Sequence, residues 1–258
     1  MKRAAILLLS SVALFAAGCA TVPTDPVARA AFKANNDPLE PLNRKIFAFN
    51  LLVDRAVFKP IARAYRWIVP ASGRDGLRNF LKNLGEPVAL ANNVLQGEFR
   101  RAGMTSERFV INSTVGIAGL ADVAGRHGLD RQTGDFGQTL YVWGAAEGPY
   151  LVLPVVGPSN PRDGIGSGVD IYLDPFRYLA RKYNYPTALS VAEYAAAGID
   201  ERARNIDSLD ELQRESVDYY ASLRSLFRQH RAGELRHGRP PPAPQLDDFY
   251  NDPDTRHP

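Results

Sequence analysis

Apolar positions recur at helical spacing along most of the chain, and Gly and Pro punctuate the repeats. From Leu39 to Phe58 the pattern predicts a first helix with two apolar stripes. Leu42, Ile46, Phe49 and Val53 follow one side, and Phe47, Leu51 and Phe58 follow another. Between Ile46 and Val53 the only polar residue is Asn50, so this helix is apolar nearly all round. A surface helix of a soluble domain has one apolar face, which leaves two readings here: a central core helix, or contact with lipid. In the next segment Lys59, Arg63 and Arg66 fall at i, i+4 and i+7, while Ile61, Tyr65 and Ile68 repeat that spacing on a second face, with Trp67 between them. Such a basic amphipathic helix suits a headgroup layer, where Trp and Tyr rings seat and Lys or Arg meets anionic lipid; a solvated basic face on an ordinary helical domain has the same pattern.

The stripe Leu77, Phe80, Leu81 and Leu84 predicts a core helix closed by Gly85, followed by a separate helix opened by Pro87, with Val88, Ala91 and Leu95 inward and Gly97 at its end. A further helix is expected from Ser106 to Val115 and another around Thr187 to Asn205. Ser208-Leu209-Asp210-Glu211 reads as a capping box opening a helix with the stripe Leu212, Tyr219, Leu223 and Leu226. These last two helices are expected to pair antiparallel, with Ala195, Ala196 and Ala197 allowing close approach. Gly144 to Gly168 breaks the pattern with six Gly and four Pro in 25 residues, yet it contains the apolar run Tyr150 to Val156. Pro149, Pro154 and Pro158 exclude helix there, and the run is too short and interrupted to pair as strands of its own. It is either tucked into a core or is a flexible apolar hairpin facing lipid or a passing ligand.

Composition narrows the class. With 45% hydrophobic and 23% charged residues in 258, the chain is neither collagen-like nor disordered nor a multi-span membrane protein. Met1-Lys2-Arg3, the twelve apolar residues Ala4 to Phe15 and the small residues Ala16-Ala17-Gly18 have the form of a secretory signal, too short to span a bilayer. Without residues 1–18 the chain has 29 basic and 28 acidic residues, and a balance so near neutrality gives no support to nucleic-acid binding. The charge is uneven, however: from Pro41 to Val110 there are 12 basic residues against 5 acidic, which marks one side as membrane-seeking or acid-seeking. Residues 19–36 read as a tether, 37–237 as one helical domain, and 238–258, with six Pro, as a disordered tail.

Candidate chemistry is sparse. His127, His230, His237 and His257 offer no metal pair at i, i+4, and the aspartates of the tail lack the spacing of a calcium loop. Gly164-Ile165-Gly166-Ser167-Gly168 is neither a nucleophile elbow nor a dinucleotide fingerprint. No catalytic residue, metal site or cofactor is read from the sequence.

Two resemblances add to this reading. Ala16-Ala17-Gly18-Cys19 resembles the lipobox of bacterial lipoproteins, in which the cysteine is lipidated and becomes the N-terminus; Cys19 is the only cysteine, and an ordinary cleaved signal beside a chance cysteine is the alternative. Asn36-Asp37-Pro38-Leu39-Glu40-Pro41-Leu42-Asn43-Arg44, Phe47-Ala48-Phe49-Asn50, Leu84-Gly85-Glu86-Pro87, Asn93-Val94-Leu95-Gln96-Gly97, Asp135-Phe136-Gly137-Gln138-Thr139-Leu140 and Gly148-Pro149-Tyr150-Leu151-Val152-Leu153-Pro154 follow in the order of the MlaA (VacJ) family of outer-membrane lipoproteins, which the chain resembles over roughly Asn36 to Pro175. The resemblance implies a mainly α, ring-like doughnut of amphipathic helices, embedded in the periplasmic leaflet of a Gram-negative outer membrane, with a Gly/Pro-rich apolar hairpin loop. It implies removal of mislocalised phospholipids from the outer leaflet through an amphipathic channel, beside trimeric porins, and delivery to a soluble MlaC-like periplasmic carrier, with no enzyme activity and no cofactor. On that reading Cys19 carries the anchor, and Asn43, Ile46, Phe47, Phe49 and Asn50 line the lipid path. Gly148, Pro149, Tyr150, Leu151, Leu153 and Pro154 form the hairpin gate, and Lys59, Arg63, Tyr65, Arg66 and Trp67 meet the membrane interface. A tethering lipoprotein and, further off, a periplasmic lipid hydrolase are the other readings.

Overall fold

The computed structural model describes residues 35–239 and a few isolated positions before them. Cys19, the signal and almost all of the tail and tether therefore lie outside the described residues. Within them the chain is mainly α-helical. Helix α1 (Glu40–Val53) runs through a π-helical turn (Asp54–Phe58) directly into α2 (Lys59–Ile68), so the expected first helix is longer than its pattern and changes pitch midway. Pro60 has no N–H to continue the i−4 ladder, and the wider π turn stands where that bond is missing. Then come α3 (Ala71–Leu95), α4 (Phe99–Thr114), the single turn α5 (Val123–Arg126) and α6 (Phe136–Val142). A two-stranded antiparallel hairpin follows, β1 (Leu151–Leu153) with β2 (Gly157–Ser159), Leu151 opposite Ser159. The chain closes with α7 (Pro161–Leu173), α8 (Pro175–Lys182), α9 (Thr187–Arg204), α10 (Ile206–Glu215) and α11 (Tyr219–Leu235).

Contacts run in a circuit: α2 packs on α9, α9 on α3, α3 on α6, and α6 on both α7 and α11. The hairpin then closes the circuit between α11 and α1, where Tyr150, Val152 and Tyr220 form a small buried cluster with Ile46, Phe47 and Phe227 against it. A second cluster, Ala62, Ala203 and Ile206 beside Tyr65, joins α2 to α9 and α10. This is the ring-like helical bundle expected.

Several local expectations are corrected. No break occurs at Gly85, because α3 continues through Pro87, and its buried residues are Asn83, Glu86, Ala89, Asn92 and Asn93 rather than the leucine stripe. The side chains flanking Pro87 are tied to neighbouring elements, Glu86 to Arg131 at 3.0 Å and Asn92 to Asp170 at 2.7 Å, and these bonds hold the helix across the missing backbone bond. Val94 and Leu95, with Leu95 expected inward, are exposed. Helix α4 starts at Phe99, seven residues before the expected Ser106, where Arg101 bonds to the carbonyl of Thr133 at 2.7 Å. The Ser208 capping box does not form: α10 opens at Ile206, and the expected stripe is divided between α10 and α11 by an N-cap at Asp218. Helix α9 packs on α2 and α3 through its C-terminal end instead of pairing with α11, and Ala195 and Ala197 are exposed. The apolar run does pair as strands, and helix resumes at Pro161, so Gly164, Gly166 and Gly168 are helical.

Two of the glycines explain how α6 and α7 meet. A Cβ on Gly166 would stand 2.4 Å from the Gly137 nitrogen, and one on Gly137 would stand 2.6 Å from Arg231 Nη2 and from Asp163 Oδ1. That gap admits the Arg231 guanidinium, which bonds Asp163 through Nε at 2.8 Å and Nη2 at 2.9 Å, and Asp135 through Nη1 at 2.7 Å and Nη2 at 2.8 Å. Burial acts to raise the Asp163 pKa, but Arg231, Asn160 and Arg162 outweigh it and hold the carboxyl below its ordinary value. Gly166→Val should therefore destabilise the protein by an overpacking cost of about 1–3 kcal/mol and lower its thermal midpoint. Gly168→Ala, on an open face of the same helix, should raise stability by about 0.5–1 kcal/mol; equal midpoints for the two variants would mean that α6 and α7 do not meet at this glycine pair.

Candidate functional site

The hairpin is held to α1 by two asparagines. Asn43 is buried; its Nδ2 donates to the Tyr150 carbonyl at 3.0 Å and its Oδ1 accepts from the Val152 N–H at 2.9 Å. Asn50 repeats the arrangement, with Nδ2 to the Leu153 carbonyl at 2.9 Å and Oδ1 from the Val155 N–H at 2.8 Å. The repeat follows from geometry. Seven helical residues rise about 10.5 Å. Three strand residues advance about 10 Å. Each asparagine therefore meets the strand at an equivalent carbonyl and amide.

Below the clasp, Asn43 Nδ2 also bonds Asp37 Oδ1 at 2.8 Å, and Asp37 Oδ2 accepts from Tyr220 Oη and from Arg224 Nη1 at 2.7 Å. Burial, together with Asp37, pushes the Tyr220 hydroxyl far above its ordinary range, so it remains a donor. Phe47 packs between the rings of Tyr219 and Tyr220, at 5.5 and 5.4 Å between centroids.

Above the clasp the hairpin turn overhangs a cavity of about 350 Å³ between α1, the π turn, α9 and α11. One wall is apolar, with Phe47, Leu51, Phe58, Val155 and Val156; the other carries Asn50, Asp54, Glu201 and Arg202. Arg202 grips Asp54 at 2.7 and 2.9 Å, placing an ion pair inside a largely apolar cleft. The π turn supplies Asp54 and Phe58, in keeping with the tendency of such turns to occur at functional sites. Val155 has φ +67°, a left-handed conformation costly for a β-branched residue, held by the Asn50 bond.

The expected path residues divide. Phe47 and Asn50 line the cavity and Ile46 packs beneath it, while Asn43 is fully occupied by the clasp and Phe49 is exposed. In the hairpin, Tyr150 is buried, Pro149, Leu151 and Leu153 are half-buried, and Pro154 is exposed. Gly148 has φ +72°, and a Cβ there would stand 2.9 Å from the Pro161 ring. Of the expected interface residues, Lys59 pairs with Asp210 at 2.8 Å, Arg66 with Asp207 at 2.9 Å, and Arg63 stands 3.9 Å from Asp210. Tyr65 Oη bonds Asp200 at 3.2 Å, whereas Trp67 is 88% exposed. The basic stripe is thus largely neutralised by α10 and the end of α9. The expected gate ended at Pro154, whereas Val155 and Val156, the last two residues of the apolar run, are the ones that line the cavity. Sequence reasoning also missed Asp54 and Arg202, which lie 148 residues apart.

Comparison with known proteins agrees with this architecture. The family model described as MlaA lipoprotein matches residues 35–234. The intermembrane phospholipid transport system lipoprotein MlaA of Escherichia coli K12 is 35% identical, covering 96% of this chain and 99% of its own. The protein of the same description from Haemophilus influenzae is 34% identical over 93% of each chain. A solved structure described as the structural basis for maintenance of bacterial outer membrane lipid asymmetry aligns with a TM-score of 0.69 at 35% identity, covering 77% of this chain and 98% of that one.

The clasp makes a local prediction. Asn50→Ala removes both bonds to the turn, so amide exchange at Val155 should quicken while Val152, held by Asn43, stays protected. Asn43→Ala leaves the Tyr150 carbonyl and Val152 amide unpaired in a buried place and should destabilise the whole protein by about 1–3 kcal/mol for each group. Unchanged exchange at Val155 in the Asn50 variant would show that the turn is held by packing alone.

Proposed function

The chain belongs to the MlaA lipoprotein family, and on that premise we propose that it removes mislocalised phospholipids from the outer leaflet of a Gram-negative outer membrane and passes them inward through the amphipathic cleft beside the hairpin. The observation that carries this reading is an inverted distribution of polarity. Asn92, Asn93, Glu86, Arg108, Gln138 and Asp200 are buried, while Trp67, Phe99, Ile117, Trp143, Val156 and Tyr172 are exposed. In water each exposed apolar side chain would forgo about 1.5–3 kcal/mol of burial. Surrounded by acyl chains it forgoes nothing, and the polar groups inside find one another. Among the described residues no helix is long and apolar enough to cross a membrane, which suits a protein set into one leaflet.

A polar interior facing an apolar exterior is what headgroup passage needs, because dragging a polar headgroup through hydrocarbon carries a large desolvation penalty. Here the cleft offers Asn50 and the Asp54–Arg202 pair to the headgroup and Phe47, Val155 and Val156 to the acyl chains. The hairpin, hinged at Gly148 and latched by Asn50, opens and closes that cleft. Cys19 anchors the chain by its acyl groups, trimeric porins flank it, and a soluble periplasmic carrier receives the lipid. No bond is made or broken in this cycle.

The chain contains two tryptophans, and both are exposed: Trp67 at 88% and Trp143 at 57%. In liposomes carrying the mature chain, lipid-borne bromine or nitroxide should quench both, and aqueous iodide should quench neither. Iodide quenching of both would place the protein off the membrane. Lipid passage is tested separately by replacing Asn50 and Val155 with cysteine. In a strain lacking its own copy, the oxidised pair should let outer-leaflet phospholipid rise above the level reached with the reduced pair. Equal levels in both states would favour a tethering lipoprotein over a transporter.

A further inference from the structure

A polar pocket with none of the cleft's lining residues lies between α3 and α4. It has a volume of about 70 Å³ and is walled by Asn79, Lys82, Asn83 and Glu86 of α3, Arg108 and Asn112 of α4, and by Asp122 and Arg131. Three cations therefore face two carboxylates. Arg108 is 3% exposed; its Nη1 bonds the Leu129 carbonyl and its Nη2 bonds Asp122 at 3.0 Å. Its Nε stands 3.9 Å from Glu86 Oε1 and has no hydrogen-bond partner among the described residues. A buried guanidinium N–H without an acceptor is costly, and in a native protein it calls for an occupant.

We propose that this pocket binds a phosphate group, with Arg108 Nε, Lys82 and Arg131 supplying the positive charge. Lys82 sits at the mouth with no ion pair among the described residues, and partial burial and the charges of Arg131, Arg204 and Arg78 hold its ammonium below its usual value. An anion beside it relieves that repulsion. The pocket's volume takes one tetrahedral phosphate group or two waters at about 30 Å³ each.

One of the two remaining unpaired atoms fits the same occupant. Asn83 Oδ1 is unpaired while its Nδ2 lies 2.9 Å from Ser113 Oγ. A hydroxyl donates as readily as it accepts, so the amide turned by 180° keeps that bond and presents its NH₂ to the pocket. Glu86 Oε2 is unpaired too, and burial, against the pull of Arg131 and Arg108, raises that carboxyl above its ordinary range. Its Oε1 accepts from Arg131 at 3.0 Å.

The rim says what the phosphate is attached to. Asn79 Nδ2 reaches the Leu120 carbonyl at 3.4 Å, and Gly119 packs against the Asn83 side chain, so the loop after α4 forms one edge of the pocket. That loop turns left-handed at Ile117, Ala118 and Gly119, with φ of 54°, 55° and 92°, and it exposes Val115, Ile117 and Leu120. An apolar rim beside a phosphate pocket matches a phospholipid, whose chains lie along the rim; free phosphate shares the chemistry of the pocket alone. The site is separate from the hairpin cleft and stands whether or not the chain transports lipid.

Calorimetric titration of the mature chain in a maltoside detergent tests this with three probes: dihexanoyl phosphatidylglycerol, dihexanoylglycerol and inorganic phosphate. Phosphatidylglycerol should bind saturably and dihexanoylglycerol should not reach the same site. Lys82→Met should weaken that binding at least tenfold, Lys82→Arg should restore it, and Lys45→Met, on an exposed face of α1, should leave it unchanged. Inorganic phosphate binding with the same Lys82 dependence, while the lipid does not bind, would assign the pocket to free phosphate. The proposal is overturned if neither phosphate probe saturates, or if Lys82→Met and Arg131→Gln both leave binding within twofold.

Discussion

Arg231 ties three elements of the ring together. Its guanidinium reaches from α11 to Asp135, the N-cap of α6, and to Asp163 in the first turn of α7, so one side chain bonds all three where they meet. Both carboxylates already sit where a helix favours negative charge. Asp135 also forms a capping box with Gln138, and Asp163 accepts from Asn160 at 2.7 Å, so neither is free to turn away. The consequence reaches across the molecule. With α11 fixed at its C-terminal half, its N-terminal half presents Tyr220 and Arg224 to Asp37, and Asp37 in turn orients Asn43 under the hairpin.

An interior built this way obeys different energetics from an apolar core. A buried ion pair contributes little net stability compared with well-packed apolar groups, but breaking one partner costs about 3–5 kcal/mol because the other charge is left unpaired. Polar burial therefore sets geometry more than it sets stability. In a ring with few large apolar side chains inside, this is how the helices are kept in register: Arg108 with Asp122, Arg224 with Asp37 and Arg78 with Asp200 each join segments distant or turned away in the chain. The apolar residues are then left to the outside, where only a lipid or protein surround makes them inexpensive.

That inversion is also why the sequence was legible in part. Helical spacing, the signal of Gly and Pro, and the ordered motifs from Asn36 onward disclosed a mainly α ring with an apolar hairpin. The orientation of each helix was not disclosed, since a stripe such as Leu77, Phe80, Leu81 and Leu84 reads as core under the rule for soluble proteins. In α3 the buried face is the asparagine and glutamate face instead. The acidic partners of Lys59 and Arg66 on α10 were not legible either, because a single helix carries no information about charges about 140 to 150 residues away. Pro87 misled for a related reason: a local rule ends the helix there, and long-range bonds from Glu86 and Asn92 override it.

The asparagine clasp shows what such an interior permits. An amide bonded to a strand contributes about 0.5–1.5 kcal/mol per hydrogen bond, since water or another polar group could take its place. At Asn43 no replacement is at hand: the side chain is buried, and Asp37 occupies its remaining donor. At Asn50, two helical turns further on, the cavity lies alongside and a polar ligand group can compete for the same amide. One residue type at equivalent positions thus makes a buried, fully occupied clasp at one end and a half-buried one beside a cavity at the other. The difference between them is set by burial and by the Asp37 bond. Val155 sharpens it, because its costly left-handed backbone has its N–H bonded to Asn50 Oδ1, on the side of the clasp that the cavity reaches.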